Sequence, residues 1–313
     1  MATSGSINFS QDVESLVRDT LYMSNALTPG EDLEHEMSQM VIRAMNRLIK
    51  RWQSRGIFVW TYQEAYLFPS LTSMEHTVGN GGTAHFTDSA ILTEVATAAA
   101  AAATTLVVDS TSGMTAGDYI GVELDDGTRQ WTTISTVTNG TTLQLGAALT
   151  DDVAVNNTVF TYTDKSLWPL SIYSVRSHSY SSDIETSVRA EDRTYFRNLA
   201  DKTLTSPTAS YFYDRGNQQL GTLSIYPILD NVQDYLKITY ERVIQDIDSI
   251  SDDIDFPSEW YDAIIYNTAL SLAPALRIKQ SDDLKMLAAQ SLQDARRTNT
   301  EVDYIETYTD ARR

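Results

Sequence analysis

The chain has no cysteine among its 313 residues and only four histidines. A disulfide framework and a thiol nucleophile are therefore excluded. The histidines at positions 35, 76, 85 and 178 are too far apart to form a zinc-ligand spacing. The sequence also has no Walker-type glycine loop and no nucleophile elbow. We therefore expect no metal, no cofactor and no catalytic residue.

Long apolar runs and basic residues are also scarce. No run is long and apolar enough to span a bilayer, and the first residues lack the basic-then-apolar order of a secretory signal. Lys and Arg number 23 against 42 Asp and Glu, a net charge of -19. The few basic patches are Lys50, Arg51 and Arg55 on one predicted helix, and Arg296 with Arg297. An outer surface that clings to DNA needs more positive charge than this.

The strongest structural signal lies at residues 221–276. The segments GTLSIYP and YLKITYERV alternate apolar and polar residues with a period of two, which is typical of half-buried strands. We predict that they pair as a hairpin. The period then changes to that of a helix, which begins after Pro257, is apolar on most of its surface, and is kinked or ended by Pro274. We expect hairpin and helix to pack together as the centre of the fold.

Three more amphipathic helices are predicted from apolar stripes, the first of them short. One covers residues 11–25. A second is opened by the capping box Thr28-Pro29-Gly30-Glu31 and ends before Gly56, and a third begins at residues 281–283. A short helix is predicted at residues 187–199. Strands are predicted at residues 57–71, 168–177 and 211–217.

Residues 83–163 differ in composition, being rich in Thr, Ala, Val, Asp and Gly. Five short strand-like runs alternate there with turns such as Asp125-Asp126-Gly127 and Asn139-Gly140, which are strong hairpin signals. We predict an inserted all-β barrel or sandwich module. The discontinuous body would be residues 1–82 and 164–297, with a tail at residues 298–313. The predicted fold class is α+β: a helical bundle packed on a small antiparallel sheet, with the inserted module and an extended C-terminal tail.

Five aspartates crowd the connector QDIDSISDDIDFP at residues 245–257. They are Asp246, Asp248, Asp252, Asp253 and Asp255. Carboxylates suit hard cations such as calcium, but the glycine and the final glutamate of an EF-hand loop are absent. We favour a solvated connector that places negative charge near a helix start.

Two other residue sets invite a functional hypothesis. Glycosidases use paired carboxylates, and candidate pairs are Glu185 with Glu191 and Glu259 with Asp262. Spacing in sequence does not fix the distance between carboxyls, so these pairs carry no weight alone. Four aromatic residues could stack on bases or sugars: Trp60, Tyr62, Tyr66 and Phe68. Because no basic residues are interleaved with them, we place them in the core or at a sheet rim.

Five segments occur in a familiar order. They are LIKRWQSRGI with the aromatic strand after it, WPLSIYSVR, RTYFRNLADK, SYFYDRGNQQLGTLSIYP and DFPSEWYDAIIYNTALSLAP. Together they cover most of residues 10–80 and 165–300. Their order resembles the head-to-tail adaptor proteins of short-tailed bacteriophages, also called tail accessory or head-completion proteins. Residues 83–163 depart from the shortest members of that family and look like β-modules that phage tail proteins carry on their outside.

The resemblance implies a structural virion protein at the head–tail interface, made in the cytoplasm of the host bacterium, and not an enzyme. Such adaptors form a homo-oligomeric ring, usually of twelve copies, beneath the portal protein. They extend the DNA channel and offer a platform for the tail nozzle and the tail fibres. DNA would pass without specific binding, which an acidic surface suits. The five aspartates are then candidate channel-facing acids, and no membrane contact is expected.

In that family the C-terminal segment reaches the portal, and residues 298–313 take its place in this chain. Tyr304, Ile305 and Tyr308 are the candidate portal anchors, because buried aromatic and aliphatic side chains commonly dominate interfaces.

Two alternatives stay open. One is a phage-associated cell-wall hydrolase that uses two acids. The other is a carbohydrate- or receptor-binding tail protein in which the β-module recognises the ligand. Under the adaptor hypothesis, removing residues 84–162 leaves the body able to assemble; under the receptor hypothesis, that deletion abolishes attachment.

Overall fold

The computed structural model describes residues 9–56, 59–216 and 220–298. The chain divides into two compact units. The helical unit comprises Met1–Thr61 and Ile244–Arg313, and the β unit comprises Tyr62–Val243.

The described residues form five α-helices and fourteen strands. The helices are α1 (Val13–Met23), α2 (His35–Gln53), α3 (Arg193–Arg197), α4 (Tyr261–Leu272) and α5 (Asp282–Thr298). The strands before the barrel are β1 (Tyr62–Phe68), β2 (Glu75–Val78) and β3 (His85–Thr87). The barrel strands are β4 (Ile91–Thr97), β5 (Thr105–Val108), β6 (Tyr119–Glu123), β7 (Arg129–Val137), β8 (Thr142–Leu145) and β9 (Thr158–Tyr162). The later strands are β10 (Pro169–Ser179), β11 (Ile184–Ala190), β12 (Ser210–Asp214), β13 (Gly221–Tyr226) and β14 (Tyr235–Arg242).

The predicted fold class is wrong. The structure is mostly β, with 32% strand and 24% helix, and is not a helical bundle on a small sheet. Eight strands join in one sheet, in the order β2-β13-β12-β11-β10-β14-β1-β3. The sheet is larger than predicted for two reasons. It combines strands that are distant in sequence, and three of its strands, β2, β3 and β11, are too short or too polar to be recognised from the sequence.

The predicted hairpin is also wrong, although both of its strands exist. Strand β13 pairs with β12 and β2, whereas β14 pairs with β10 and β1. The segment between them, residues 227–234, buries Ile228, Leu229 and Val232. It is therefore a packed crossover and not a tight turn. Helix α4 belongs to the helical unit, so the strands and α4 do not share one centre as predicted.

Six strands close into a barrel in the order β4-β5-β8-β7-β6-β9. Its interior is filled by aliphatic side chains such as Val95, Leu106, Ile120 and Leu143, all fully buried. Every residue of β9 is buried. Val159 packs in the barrel core, whereas Phe160 and Tyr162 belong to an aromatic cluster that also contains Phe68 and Tyr235 of the eight-stranded sheet. Strand β9 therefore contributes side chains both to the barrel core and to the aromatic cluster shared with the eight-stranded sheet.

The helical unit has its own core, to which all four of its helices contribute. The predicted burial of α4 on most of its circumference is confirmed, although Asp262 and Ser271 are exposed, and α4 ends at Leu272, two residues before Pro274. Gly56 adopts the left-handed conformation (φ 64°) just after α2, as predicted. The predicted capping box does not open α2. Glu31 accepts from the amide and hydroxyl of Thr28, but the amide of Glu31 donates to the carbonyl of Thr28 and not to its hydroxyl, and α2 begins only at His35.

The short helix predicted at residues 187–199 is mostly wrong. Strand β11 occupies Ile184–Ala190, and α3 contains only five residues. The apolar residues of this segment are few, and Val188 is the one buried residue of β11, so their spacing did not distinguish the two structures. Among the described residues, no helix combines the length and apolar character that a membrane crossing requires.

Candidate functional site

The predicted portal anchors, Tyr304, Ile305 and Tyr308, lie outside the described residues. The five aspartates of the acidic connector are described. All five line one surface depression of about 420 Å³, together with Gln245 and Ile247. The connector belongs to the helical unit, where it precedes α4.

Helix α2 holds the first part of this connector. Asn46 donates to the carbonyl of Ile247 (2.8 Å) and accepts from its amide (3.0 Å). Lys50 donates to the carbonyl of Ile244 (2.8 Å) and forms an ion pair with Asp246 (2.7 Å). These contacts fix the backbone, so the connector is a folded loop rather than the freely solvated one that its composition suggested.

The aspartates differ in what they do within the loop. Asp252 accepts from the amides of Asp248 (3.0 Å) and Ser249 (2.8 Å), and Asp255 accepts from the amide of Gln245 (3.2 Å). The side chains of Asp248 and Asp253 are exposed and have no partner in the part of the chain that the structure describes. No group of three or more His, Cys, Asp or Glu side chains there could hold a metal ion.

The candidate catalytic acids lie in ordinary surroundings. Glu185 is paired with Lys237 and with Arg176 (3.2 Å), and its hydrogen bond from Lys237 lowers its pKa. A general acid needs a raised pKa instead. Glu191 is paired with Arg189 (3.0 Å). Glu259 and Asp262 are both exposed at the start of α4. None of these geometries favours acid–base catalysis.

Three arginines form a stripe on α2 that the sequence analysis overlooked. Arg43, Arg47 and Arg51 are spaced four residues apart, which places them along one side of the helix, and all three are exposed. None forms an ion pair in the part of the chain that the structure describes. We call these residues the arginine stripe. Two of them, Arg47 and Arg51, border a groove of about 370 Å³ that also contains Met40, Leu48 and Leu272.

The β unit contains a cleft of about 480 Å³ where the barrel meets the sheet. We call it the junction cleft. Its sheet side is formed by Phe68, His76 and His85 with residues 69–73, and its barrel side by Thr128, Arg129 and Trp131. The predicted placement of Phe68 in the core or at a sheet rim is confirmed, because it is 2% exposed and ends β1.

Aromatic rings surround the guanidinium of Arg129. Its carbon lies 4.6 Å from the ring centre of Phe160, 5.5 Å from Phe68 and 5.9 Å from Trp131. Its Nε and Nη2 are buried without a hydrogen-bond partner. Burial lowers the pKa of Arg129 to about 9, opposed by the charges of Glu123 and Asp234, so the side chain stays cationic at neutral pH.

The two histidines of the junction cleft are neutral at pH 7. Burial lowers the pKa of His76 to about 4, and burial with the charges of Lys165 and Arg129 lowers that of His85 to about 3. His85 shares a 2.7 Å hydrogen bond between its Nδ1 and the hydroxyl of Tyr162. The Nε2 of His76 is buried without a partner. The sequence signal was weak, because the cleft combines residues of the neighbouring strands β1, β2 and β3 with residues of β7, which lies well beyond them in the chain.

Comparison with known proteins gives no assignment: no family model and no curated protein sequence matches this chain.

Proposed function

We propose that this chain is a structural virion protein, a ring-forming head-to-tail adaptor. It binds the portal, extends the DNA channel and provides the attachment platform for the tail nozzle and fibres. The order of five sequence segments, which resembles that of such adaptors, supports this assignment. The body of the adaptor is then a helical unit and a β unit, in place of the predicted helical bundle, and no residue is assigned a catalytic role.

The arginine stripe is the observation that supports ring formation best. Like charges four residues apart destabilise a helix by a few tenths of a kcal/mol, roughly. In the described part of the chain, no ion pair offsets this destabilisation for the three arginines. The chain as a whole has a net charge of -19. The remaining surface is rich in carboxylates. The occupant we propose for the groove beside the stripe is therefore the acidic surface of a second copy.

A contact between two different surfaces of identical chains propagates around a ring when its rotation closes. The arginines would meet carboxylates of the neighbour, and Met40, Leu48 and Leu272 would add apolar contact in the groove. Ring formation then depends on salt, because exposed charges are screened at high ionic strength.

The test is to measure the mass of the full chain by native mass spectrometry, alone and mixed with its portal protein, at low and high salt. We expect a closed oligomer that binds the portal and that weakens as salt is raised. The double variant Arg47→Glu with Arg51→Glu should stay monomeric at the same concentration. Arg55→Glu with Lys202→Glu changes the net charge equally, at exposed positions that do not line the groove, and should behave as the wild type.

Three results would contradict the proposal. A chain that stays monomeric beside the portal would exclude a ring. A double variant that still assembles would remove the arginine stripe from the interface. Turnover of cell-wall substrate, or tight DNA binding that depends on the stripe, would point to another class of protein.

A further inference from the structure

The junction cleft has the size and the polar groups of a ligand site. Small-molecule sites are concave, mostly apolar pockets of about 300–1,000 Å³ with a few polar groups that fix the ligand, and this cleft falls in that range at about 480 Å³. Three buried polar atoms without a hydrogen-bond partner belong to residues that line it: Nε and Nη2 of Arg129, and Nε2 of His76.

The charge of Arg129 is not neutralised by an ion pair in the described chain. The nearest opposing charges are Glu123 and Asp234, but their oxygens are used elsewhere. Glu123 accepts from the amide and hydroxyl of Thr158 and from Gln233, and Asp234 accepts from the amide of Tyr180 and from Asn231. A buried cation without a paired anion is costly, so an incoming anion would gain a strong interaction there.

The surroundings of Arg129 hold it in place. The rings of Phe68, Phe160 and Trp131 surround the guanidinium, and β7 joins the barrel on both of its edges. A preorganised cation loses little freedom on binding, which favours affinity. Thr128, Ser70 and Thr72 bring hydroxyl groups to the same cleft, and Leu71 and Phe68 bring apolar surface.

The other charged groups at the cleft limit the charge of the ligand. The cleft-lining histidines are neutral, and Glu75, which is exposed, also lines the cleft. Arg129 and Glu75 are the charged residues among those that line the cleft, and Lys165 acts on His85 from outside this lining. A lining with one cation and one carboxylate suits a ligand with a single negative charge better than a dianion such as a phosphate monoester. Neutral imidazoles and hydroxyl groups suit ligand hydroxyls.

We infer that the junction cleft binds a small hydroxylated carboxylate, such as an acidic monosaccharide, with its carboxylate at Arg129. The site would give the β unit a ligand of its own. It goes beyond the proposed adaptor function and does not depend on ring formation, so either can fail without the other.

The test is isothermal titration calorimetry of the full chain with four probes: D-glucuronate, D-glucose, acetate and inorganic phosphate. We expect glucuronate to bind more tightly than the others. The variant Arg129→Met keeps the length and the apolar packing of the side chain, and should weaken glucuronate binding at least about tenfold, the size expected for a lost charge-assisted hydrogen bond. Arg215→Met is the control, because Arg215 lies over Trp168 (4.9 Å) outside the cleft.

A second variant tests the inference independently in case Arg129→Met does not fold. Thr128→Ala removes an exposed rim hydroxyl, which donates to Asp126 (2.6 Å) and keeps acceptor capacity for a ligand, and it should weaken glucuronate binding several-fold while leaving acetate binding unchanged. The inference is wrong if glucuronate does not bind at millimolar concentration, or if glucose binds equally well. It is also wrong if phosphate binds more tightly than glucuronate, or if both cleft variants fold and bind as the wild type does.

Discussion

His85 lies flat against Trp131, with ring centres 3.6 Å apart and planes 7° apart. His85 belongs to the eight-stranded sheet and Trp131 to the barrel. The stack, the His85–Tyr162 hydrogen bond and the rings around Arg129 together join the two β structures. Removing residues 84–162 would therefore uncover Phe68 and Tyr235, so it is not a clean test of what the barrel does. Point substitutions are needed instead.

Gly121→Ala should loosen this junction. A Cβ at Gly121 would lie 2.8 Å from the ring of Trp131, so the indole would have to shift, which would disturb its stack with His85. We expect a loss of about 1–3 kcal/mol in the free energy of unfolding. Urea unfolding followed by tryptophan fluorescence measures this. Gly140→Ala is the matched control, because a Cβ there has no atom within 4 Å. Equal stability of the two variants would show that Trp131 does not need Gly121.

The buried histidines predict a loss of stability in mild acid. A free histidine has a pKa of about 6.5, whereas those of His76 and His85 are lowered to about 4 and about 3. Below about pH 6.5 the unfolded chain binds protons that the folded chain does not, so the free energy of unfolding falls as the pH is lowered. Each histidine should remove about 2 kcal/mol between pH 7 and pH 5.

The measurement is chemical unfolding at a series of pH values. His76→Asn removes one titrating group and keeps a side-chain donor, so it should flatten the profile by about half of the two histidines' joint contribution. His35→Asn is the control, since His35 is exposed. An unchanged slope in His76→Asn would mean that His76 is not the buried base we describe.

Periodicity located most elements but not their partners. The apolar stripes predicted α1, α2, α4 and α5 because each helix buries one side, or nearly all sides, in a local core. In a strand, the same signal tells which face is buried and not which strand lies beside it. Strand β14 pairs with β1 and β10, both distant in sequence, and nothing in YLKITYERV encodes that choice.

Among the candidate sites as well, those formed by residues close in sequence could be predicted, and those formed by distant residues could not. The five aspartates lie close together in sequence, so the connector could be singled out as a candidate site, but the depression that they line could not be predicted. The junction cleft could not be singled out, because His76, His85 and Arg129 come from separate strands and gain their properties only through burial. Arg43 and Arg47 were within reach of the sequence analysis, since their spacing with Arg51 is regular.

The carboxylates of the acidic loop differ in whether they accept hydrogen bonds from the backbone, and this difference predicts different effects on stability. Asp252→Ala should cost about 1 kcal/mol of stability, because two backbone amides lose their acceptor. Asp253→Ala should cost almost nothing by comparison. Thermal unfolding of the two variants checks this, and equal destabilisation would contradict the assignment.

On the proposed adaptor function, Asp248 and Asp253 are the acids of this loop best placed to face the DNA channel. Neutralising both, as Asp248→Asn with Asp253→Asn, should leave ring assembly intact and slow DNA exit from the particle, because repulsion of phosphate is reduced. Ejection kinetics measured on purified particles test this. Asp32→Asn with Glu36→Gln changes the charge equally at exposed positions outside the depression. If both double variants eject DNA at the wild-type rate, these acids do not line the channel.

The portal contact is predicted to depend on Tyr304, Ile305 and Tyr308. Replacing all three by alanine should weaken binding to the portal at least about a hundredfold, because anchor residues each contribute about 2 kcal/mol or more at an interface. Self-assembly should persist, since we assign it to the arginine stripe. Surface plasmon resonance against the purified portal measures the first effect and native mass spectrometry the second. Ile184→Ala removes an exposed aliphatic side chain from β11 and should change neither. If the triple variant binds the portal like the wild type, the portal contact lies elsewhere in the chain. If the triple variant loses self-assembly, these three residues belong to the ring interface.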